Sequence, residues 1–231
     1  SNRFISEPAE IMPPNTWMAY QLSSPNGQDT LHSLRYNQFI ALVNNQNLES
    51  FGNRYVQINN LNSQFLDYLG VDHIIAIKRI QGKPDPNGSV SDSLSNYPIV
   101  FESGSVAILK NDYSFPNLFS VKNYIHSTDI SKTQQFLLNS DLTETVILET
   151  DISYPLSSCQ INDIKFYQNQ FSFQTNSADY CLVVSNTTYH PNWRLYTNNQ
   201  ITDQIFVANH AFMAFLIPPG QSFNTVKFKL W

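Results

Sequence analysis

Five carboxylates are the candidates for acid–base chemistry in this chain, namely Asp67, Asp72, Glu102, Glu149 and Asp151. Hydrolysis of a glycosidic bond requires two carboxyl groups at a defined separation. The sequence does not place any two of these acids across a common cleft, and surface acids are far commoner than catalytic ones. We therefore predict no catalytic residue, and a secreted carbohydrate-active enzyme is the least favoured function.

Metal-binding and phosphate-binding patterns are equally absent from the sequence. His73, His126, His190 and His210 lack the i, i+4 or short-loop spacing of metal ligands, so each is interpreted as structural. The chain has only 7 glycines, with no Gly-x-Ser-x-Gly motif and no glycine-rich phosphate loop. We predict no metal, no cofactor and no nucleotide partner.

The two cysteines, Cys159 and Cys181, leave two alternatives open. They can form one disulfide in an oxidising compartment, or they can be two free buried thiols. Asn186-Thr187-Thr188 matches a glycosylation acceptor motif. We assign it no function, because such short matches are frequent.

Composition indicates a folded chain with an unusually neutral polar surface. Hydrophobic residues make up 42% of the 231 residues and charged residues only 13%, against roughly 25% in ordinary soluble domains. Asn, Gln, Ser and Thr must therefore supply much of the surface, and these side chains suit sugar hydroxyls. The net charge is -5, without a Lys or Arg cluster in the sequence that could follow a phosphate backbone, so nucleic acid is not an expected partner.

The pattern to about residue 150 mixes helices and strands. Asp29 or Thr30 can cap a first helix, a second helix begins near Ser63 and ends at Gly70, and Asp129 can cap a third over 130–138. A turn-rich loop is predicted over 81–96. Strands are predicted at 71–78, 98–102, 105–110, 117–124 and 145–149.

The remaining residues show short strands separated by turn residues. Residues 168–170 are typical of a hairpin connection, and Asn198-Asn199 of a tight turn. The predicted strands are 161–167, 171–173, 181–185, 193–197, 201–207, 212–217 and 223–230. The expected fold is α+β and mostly β: a mixed α/β part over 1–150, then an antiparallel β-sandwich over 151–231, packed as one compact unit.

One C-terminal stretch, residues 182–200, carries a family resemblance. An apolar strand leads into an aromatic-rich turn, a Trp-basic step, another strand and a tight turn. The residues that keep this pattern are Tyr189, Pro191, Trp193, Arg194 and Tyr196. The stretch resembles the end of YfhO-like proteins, in which Gly stands in place of Asn192 and Asp-Gly in place of Asn198-Asn199.

Further stretches resemble the same family. Residues 209–221 match its strand ending in a Pro-x-Gly turn, and residues 65–75 match its helix followed by a buried strand. Upstream, Met12-Pro-Pro-Asn15 matches its Pro-Pro-Asn opening, and Arg35-Tyr36 matches its Arg-Tyr helix. The resemblance therefore touches both ends of the chain.

The family consists of bacterial polytopic membrane proteins related to C-type glycosyltransferases, which use polyprenyl-phosphate sugars. The resemblance implies an extracytoplasmic region, periplasmic or at the cell surface, tethered to the cytoplasmic membrane through membrane helices of the same parent chain. Catalytic acids of such enzymes lie in early loops among those helices. The resemblance thus implies that this region carries none.

Three aromatic residues are the candidate ligand-binding residues. Trp193, with Tyr189 and Tyr196, could form a platform on which a sugar ring stacks. The alternative is that Trp193 is a core residue of the sandwich. The leading hypothesis is an accessory region that binds or orients a cell-envelope glycan. The other is a structural or protein-interaction module that packs on membrane helices or a partner enzyme and exposes an apolar patch.

Overall fold

The computed structural model describes residues 3–7, 15–20, 22–26, 33–50 and 56–229. Strands hold 45% of these residues and helices 15%, which confirms the mostly-β α+β class. The chain divides into two compact units, Ser1–Pro116 and Asn117–Trp231. The division falls earlier than the boundary expected near residue 150, because the strands between residues 118 and 148 belong to the same sheet as strands from 180–217.

The N-terminal unit is built on one four-stranded sheet. Its strand order is β1-β2-β6-β5, with β1 and β2 parallel and the other neighbours antiparallel; β3 and β4 form a separate hairpin. Two short 3-10 helices span Thr16–Tyr20 and Asp92–Leu94. The elements are β1 (Arg3–Ser6), α1 (Leu34–Val43), α2 (Phe65–Tyr68), β2 (Val71–Ile77), β3 (Arg79–Ile80), β4 (Lys83–Pro84), β5 (Ile99–Ser103) and β6 (Val106–Lys110).

Local signals explain where these helices end and what they bury. Gly70, with φ +69°, follows α2 in the left-handed conformation that suits glycine, as the sequence predicted. Phe39 of α1 packs against Phe65 of α2, with ring centroids 5.5 Å apart. Helix α1 begins at Leu34 with Ser33 as its N-cap residue. The expected caps Asp29 and Thr30, and residues 12–14 of the family-like opening, lie outside the described residues.

The C-terminal unit consists of two sheets and one helix. Its elements are β7 (Leu118–Val121), β8 (Asn123–His126), α3 (Ile130–Asn139), β9 (Thr145–Leu148), β10 (Leu156–Ser157), β11 (Gln160–Tyr167), β12 (Gln170–Ser177), β13 (Tyr180–Thr188), β14 (Trp193–Thr197), β15 (Gln200–Thr202), β16 (Ile205–Ala208), β17 (Phe212–Ile217) and β18 (Gly220–Phe228). The first sheet has the order β10-β13-β17-β16-β9-β8, with β7 also paired to β13, and the second has the order β11-β12-β18-β14-β15.

The two sheets enclose one apolar core and form the expected sandwich. Alternate side chains of facing strands meet in this core, as the period of two along a strand requires. Its buried members are Leu118, Phe171, Phe173, Cys181, Val183, Leu195, Met213, Phe215, Ile217 and Val226. The sandwich departs from a fully antiparallel one, because β8 pairs with β9 and β10 with β13 in parallel.

Two predicted strands each prove to be two strands. The predicted strand over 201–207 is divided into β15 in the five-stranded sheet and β16 in the seven-stranded sheet, so the chain crosses between the sheets at residues 203–204. The predicted strand over 117–124 is divided into β7, which pairs with β13, and β8, which pairs with β9. Both divisions depend on pairing with distant strands.

A disulfide between Cys159 and Cys181 links the sheets of the sandwich. Cys159 immediately precedes β11 of the five-stranded sheet, and Cys181 lies in β13 of the seven-stranded sheet. Their Cα atoms are 5.8 Å apart, at the usual separation for this bond. Of the two alternatives left by the sequence, the structure contains the disulfide.

Candidate functional site

Strand β14 places two of the three candidate aromatic residues, Trp193 and Tyr196, on opposite faces, and Tyr189 follows the end of β13. Leu195 and Thr197 of this strand are buried, and Trp193 belongs to the same alternating set. Arg194 and Tyr196 belong to the opposite set, which faces away from the core. The structure therefore brings Trp193 and Tyr189 together but places Tyr196 on the other side of the sheet.

Trp193 is a residue at the edge of the core that also contributes to the surface. Its ring lies 5.9 Å from the ring of Phe171 and 5.1 Å from that of Phe228, the latter in an edge-to-face arrangement. The residue is only partly buried, and Tyr189 likewise packs at the margin of the core. One side of the Trp193 ring thus packs against the core, as the alternative interpretation expected. The other side lines a recess.

That recess, which we call the tryptophan recess, has a volume of about 110 Å³. Its lining combines aromatic rings with polar groups of both signs. The lining residues are Tyr189, His190, Pro191, Trp193, Arg194, Thr202, Asp203 and Ile205. The lining therefore offers apolar ring faces together with hydrogen-bond donors and acceptors.

Backbone contacts hold the polar groups of the tryptophan recess in place. The Asn192 N–H donates to His190 Nδ1 at 3.1 Å, and Arg194 Nη1 donates to the carbonyl oxygen of Trp193 at 2.8 Å. Asp203 is exposed and lies where the chain crosses between the sheets. Sequence reasoning missed Asp203 as a site residue, because only the crossing brings it beside Trp193.

Tyr196 lies among cations on the outer side of the five-stranded sheet. The Nζ atoms of Lys227 and Lys229 are 5.6 Å and 5.9 Å from the centroid of its ring. Both distances are within the range of a cation–π interaction. Tyr196 therefore belongs to a basic surface and not to the tryptophan recess.

The candidate acids of the sequence have structural partners. Asp67 Oδ1 accepts a hydrogen bond from Asn111 Nδ2 at 2.7 Å, and Asp72 lies 2.8 Å from His73 Nδ1. The Tyr124 hydroxyl donates to Asp151 Oδ1 at 2.6 Å, and this bond lowers the pKa of Asp151. Within the described part of the chain, no three His, Cys, Asp or Glu side chains come close enough to hold a metal ion.

A second recess lies in the N-terminal unit. It has a volume of about 360 Å³ and a mainly polar lining without an aromatic ring among the described residues. At one side Arg79 Nη1 lies 2.6 Å from Glu7 Oε2, which also accepts the Ile77 N–H. The lining residues are Glu7, Asn59, Asn60, Leu61, Asn62, Arg79, Ser91, Ser93 and Leu94.

Two features bear on accessibility and membrane association. Asn186 of the glycosylation-like motif is only 4% exposed, so its amide is not presented at the surface. None of the helices in the described ranges is long and apolar enough to span a bilayer.

No family model, curated protein or solved structure matches this chain.

Proposed function

We propose that this chain is a non-catalytic, carbohydrate-binding accessory region of a membrane glycosyltransferase-like protein. In this role it holds or orients a cell-envelope glycan on the extracytoplasmic side of the membrane, and the polyprenyl-phosphate chemistry belongs to the parent protein. The observation that carries the proposal is the tryptophan recess. There two aromatic rings lie beside Asp203, Arg194 and His190.

The chemistry of the tryptophan recess supports a sugar over an apolar ligand. A sugar ring offers C–H groups to an aromatic face and hydroxyl groups to charged side chains at its rim. A carboxylate accepts hydrogen bonds from hydroxyls, and a guanidinium donates to them. The Cys159–Cys181 disulfide adds support for an oxidising compartment, since such bonds persist mainly outside the cytosol.

A fluorescence titration tests the proposal at Asp203. The chain would be titrated with neutral and amino-sugar oligosaccharides up to millimolar concentration, with Asp203→Ala as the variant. We expect about a tenfold loss of affinity, since a hydrogen bond to a charged group contributes roughly 1.5 kcal/mol. Asp179→Ala is the matched control, because Asp179 is another exposed acid, outside the recess. Equal affinity of the two variants would contradict the assignment of the recess.

A second candidate function, protein interaction, is favoured by strand β5. Ile99, Val100 and Phe101 are 45%, 55% and 56% exposed on consecutive positions. Strand β5 ends its sheet and pairs only with β6 among the described residues. An exposed apolar edge strand is a typical surface for packing on another chain or on membrane helices.

Substitution in β5 tests this second candidate. Val100→Lys would place a charge in the apolar strand, and the control Asn87→Lys would place the same charge at an exposed position outside β5. If β5 packs on the membrane helices of the parent chain, only the first variant should lose its binding to those helices in detergent. Undiminished binding by Val100→Lys would exclude β5 as the contact.

A further inference from the structure

The outer face of the five-stranded sheet concentrates the basic residues of the C-terminal unit. Two cross-strand rows define what we call the basic sheet face. One row is Tyr167–Gln170–Lys227–Arg194, and the other is Lys165–Ser172–Thr225–Tyr196–Ile201. Lys229 extends this face beyond Lys227, at the level of Asn192.

Four of the six Lys and Arg residues of the C-terminal unit therefore lie on one side of one sheet. The rows contain no acidic residue; the sole acid of β11, Asp163, lies in the bulge between Asn162 and Lys165. None of these four cations has a carboxylate within ion-pair distance in the described ranges. A chain of net charge -5 thus carries one locally basic face.

The guanidinium of Arg194 is held by backbone oxygens, since its Nη1 donates to the carbonyls of Pro191 and Trp193. Arg194 and Lys227 are directly opposite each other on β14 and β18. Like charges at directly paired positions repel, because their side chains lie about 5 Å apart. Lys227 and Lys229 both approach the ring of Tyr196, which keeps the two ammonium groups on the same part of the face.

The remaining side chains of the face point to a polar polymer rather than a lipid surface. Gln170 and Thr225 occupy partly exposed positions at its centre, and their amide and hydroxyl groups match sugar hydroxyls, whereas Ser172 beside them is buried. Tyr167 at the border is 57% exposed and offers a ring for stacking. An anionic bilayer would attract the cations but would leave these central polar groups without a specific role.

We propose that the basic sheet face binds a carboxylated polysaccharide. The sugar carboxylates lie at Lys227 and Lys229, which both approach the ring of Tyr196, and a sugar ring rests on Tyr167. This surface faces away from the core, whereas Trp193 of the tryptophan recess is on the opposite side of β14. The inference therefore goes beyond the proposed function and can fail independently of it.

Calorimetric titration with an oligogalacturonate of defined length tests the inference. The variant is Lys227→Gln with Lys229→Gln, and the matched control is Lys122→Gln with Lys132→Gln, which removes the same charge from exposed positions off the face. We expect the first double variant to bind at least tenfold more weakly than the wild type, and the control to change by less than about twofold. Raising sodium chloride from 50 to 300 mM should weaken wild-type binding.

Three further arms of the titration separate the alternatives. A neutral maltooligosaccharide of the same length should bind at least tenfold more weakly than the oligogalacturonate, and Asp203→Ala should bind the oligogalacturonate as the wild type does. Vesicles of phosphatidylglycerol and phosphatidylcholine should not bind. The inference is overturned by absence of oligogalacturonate binding, by equal losses in the two double variants, or by binding to vesicles alone. Circular dichroism checks that the variants fold, and Lys227→Gln alone replaces a double variant that does not.

Discussion

Asp67 illustrates how burial sets the properties of a single acid in the N-terminal unit. Its side chain is partly buried, and this burial raises the pKa of Asp67 despite the opposing hydrogen bond from Asn111. Because the folded-state pKa lies above the unfolded value, the folded chain retains a proton that the unfolded chain has released. The contribution of Asp67 to stability therefore falls as pH rises through the interval between the two values.

Asp67→Asn should remove this dependence. Asparagine keeps an oxygen that can accept the Asn111 N–H, but it has no carboxylate to desolvate. We expect the free energy of unfolding of the variant, relative to wild type, to increase between pH 4 and pH 7. Urea unfolding at several pH values measures this difference. A relative stability that decreases over the same interval would contradict the expected sign.

Tyr189 and Trp193 line one recess, and strand alternation alone separates Tyr196 from Trp193. Trp193 and Tyr196 are three positions apart in one strand, and an odd spacing places side chains on opposite faces. Lys227 belongs to the outward set of β18, and Lys229, one residue past the end of that strand, approaches the same ring of Tyr196. The position of Asp203 beside Trp193 could not be predicted, because it depends on where the chain changes sheets.

Helix ends and tight turns are the elements that local sequence determines best. Asn198 and Asn199 have φ values of +50° and +66°, as expected for the tight turn between β14 and β15. Asp129 caps α3, since its side chain accepts the Lys132 N–H at 2.9 Å. The split strands at 117–124 and 201–207 were missed because their pairing is decided by residues far away in the chain.

Asp129→Ala tests the cap of α3. The substitution leaves the Lys132 N–H without its acceptor at the helix start, which costs about 1 kcal/mol in stability. Chemical denaturation, followed by a spectroscopic signal from the C-terminal unit, would measure this loss of stability. Asp179→Ala, an exposed acid between β12 and β13, serves as the control. A change of less than about 0.3 kcal/mol at Asp129 would mean that the cap bond is not retained in solution.

For the molecule as a whole, the disulfide is the covalent constraint on the sandwich. It joins residues 22 positions apart and connects the two sheets. A loop of this length corresponds to about 3 kcal/mol of stabilisation through restriction of the unfolded chain. We expect the free energy of unfolding of the Cys159→Ala, Cys181→Ala double variant to fall by about this amount, which lowers the denaturant concentration at the midpoint. An unchanged midpoint, together with two free thiols found by titration of the wild type, would show that the disulfide does not form in solution.

The same molecule presents three surfaces with different chemistry: the tryptophan recess, the basic sheet face and the apolar strand β5. The fold class and the sandwich architecture could be predicted from the sequence, because strand periodicity and turn residues are local sequence signals. The basic sheet face did not, because its cations come from β11, β14 and β18, which are separated in the chain and adjacent only in the sheet. Charge counts along a sequence cannot reveal such a surface.

The most direct test of glycan binding is a glycan array probed with the purified chain and followed by calorimetry on any positive ligand. We expect the array to retain cell-envelope oligosaccharides. Affinity should fall on substitution of Asp203 for a ligand of the tryptophan recess, and on substitution of Lys227 with Lys229 for a ligand of the basic sheet face. No binding to any envelope glycan at millimolar concentration, by a chain shown to be folded, would contradict glycan binding.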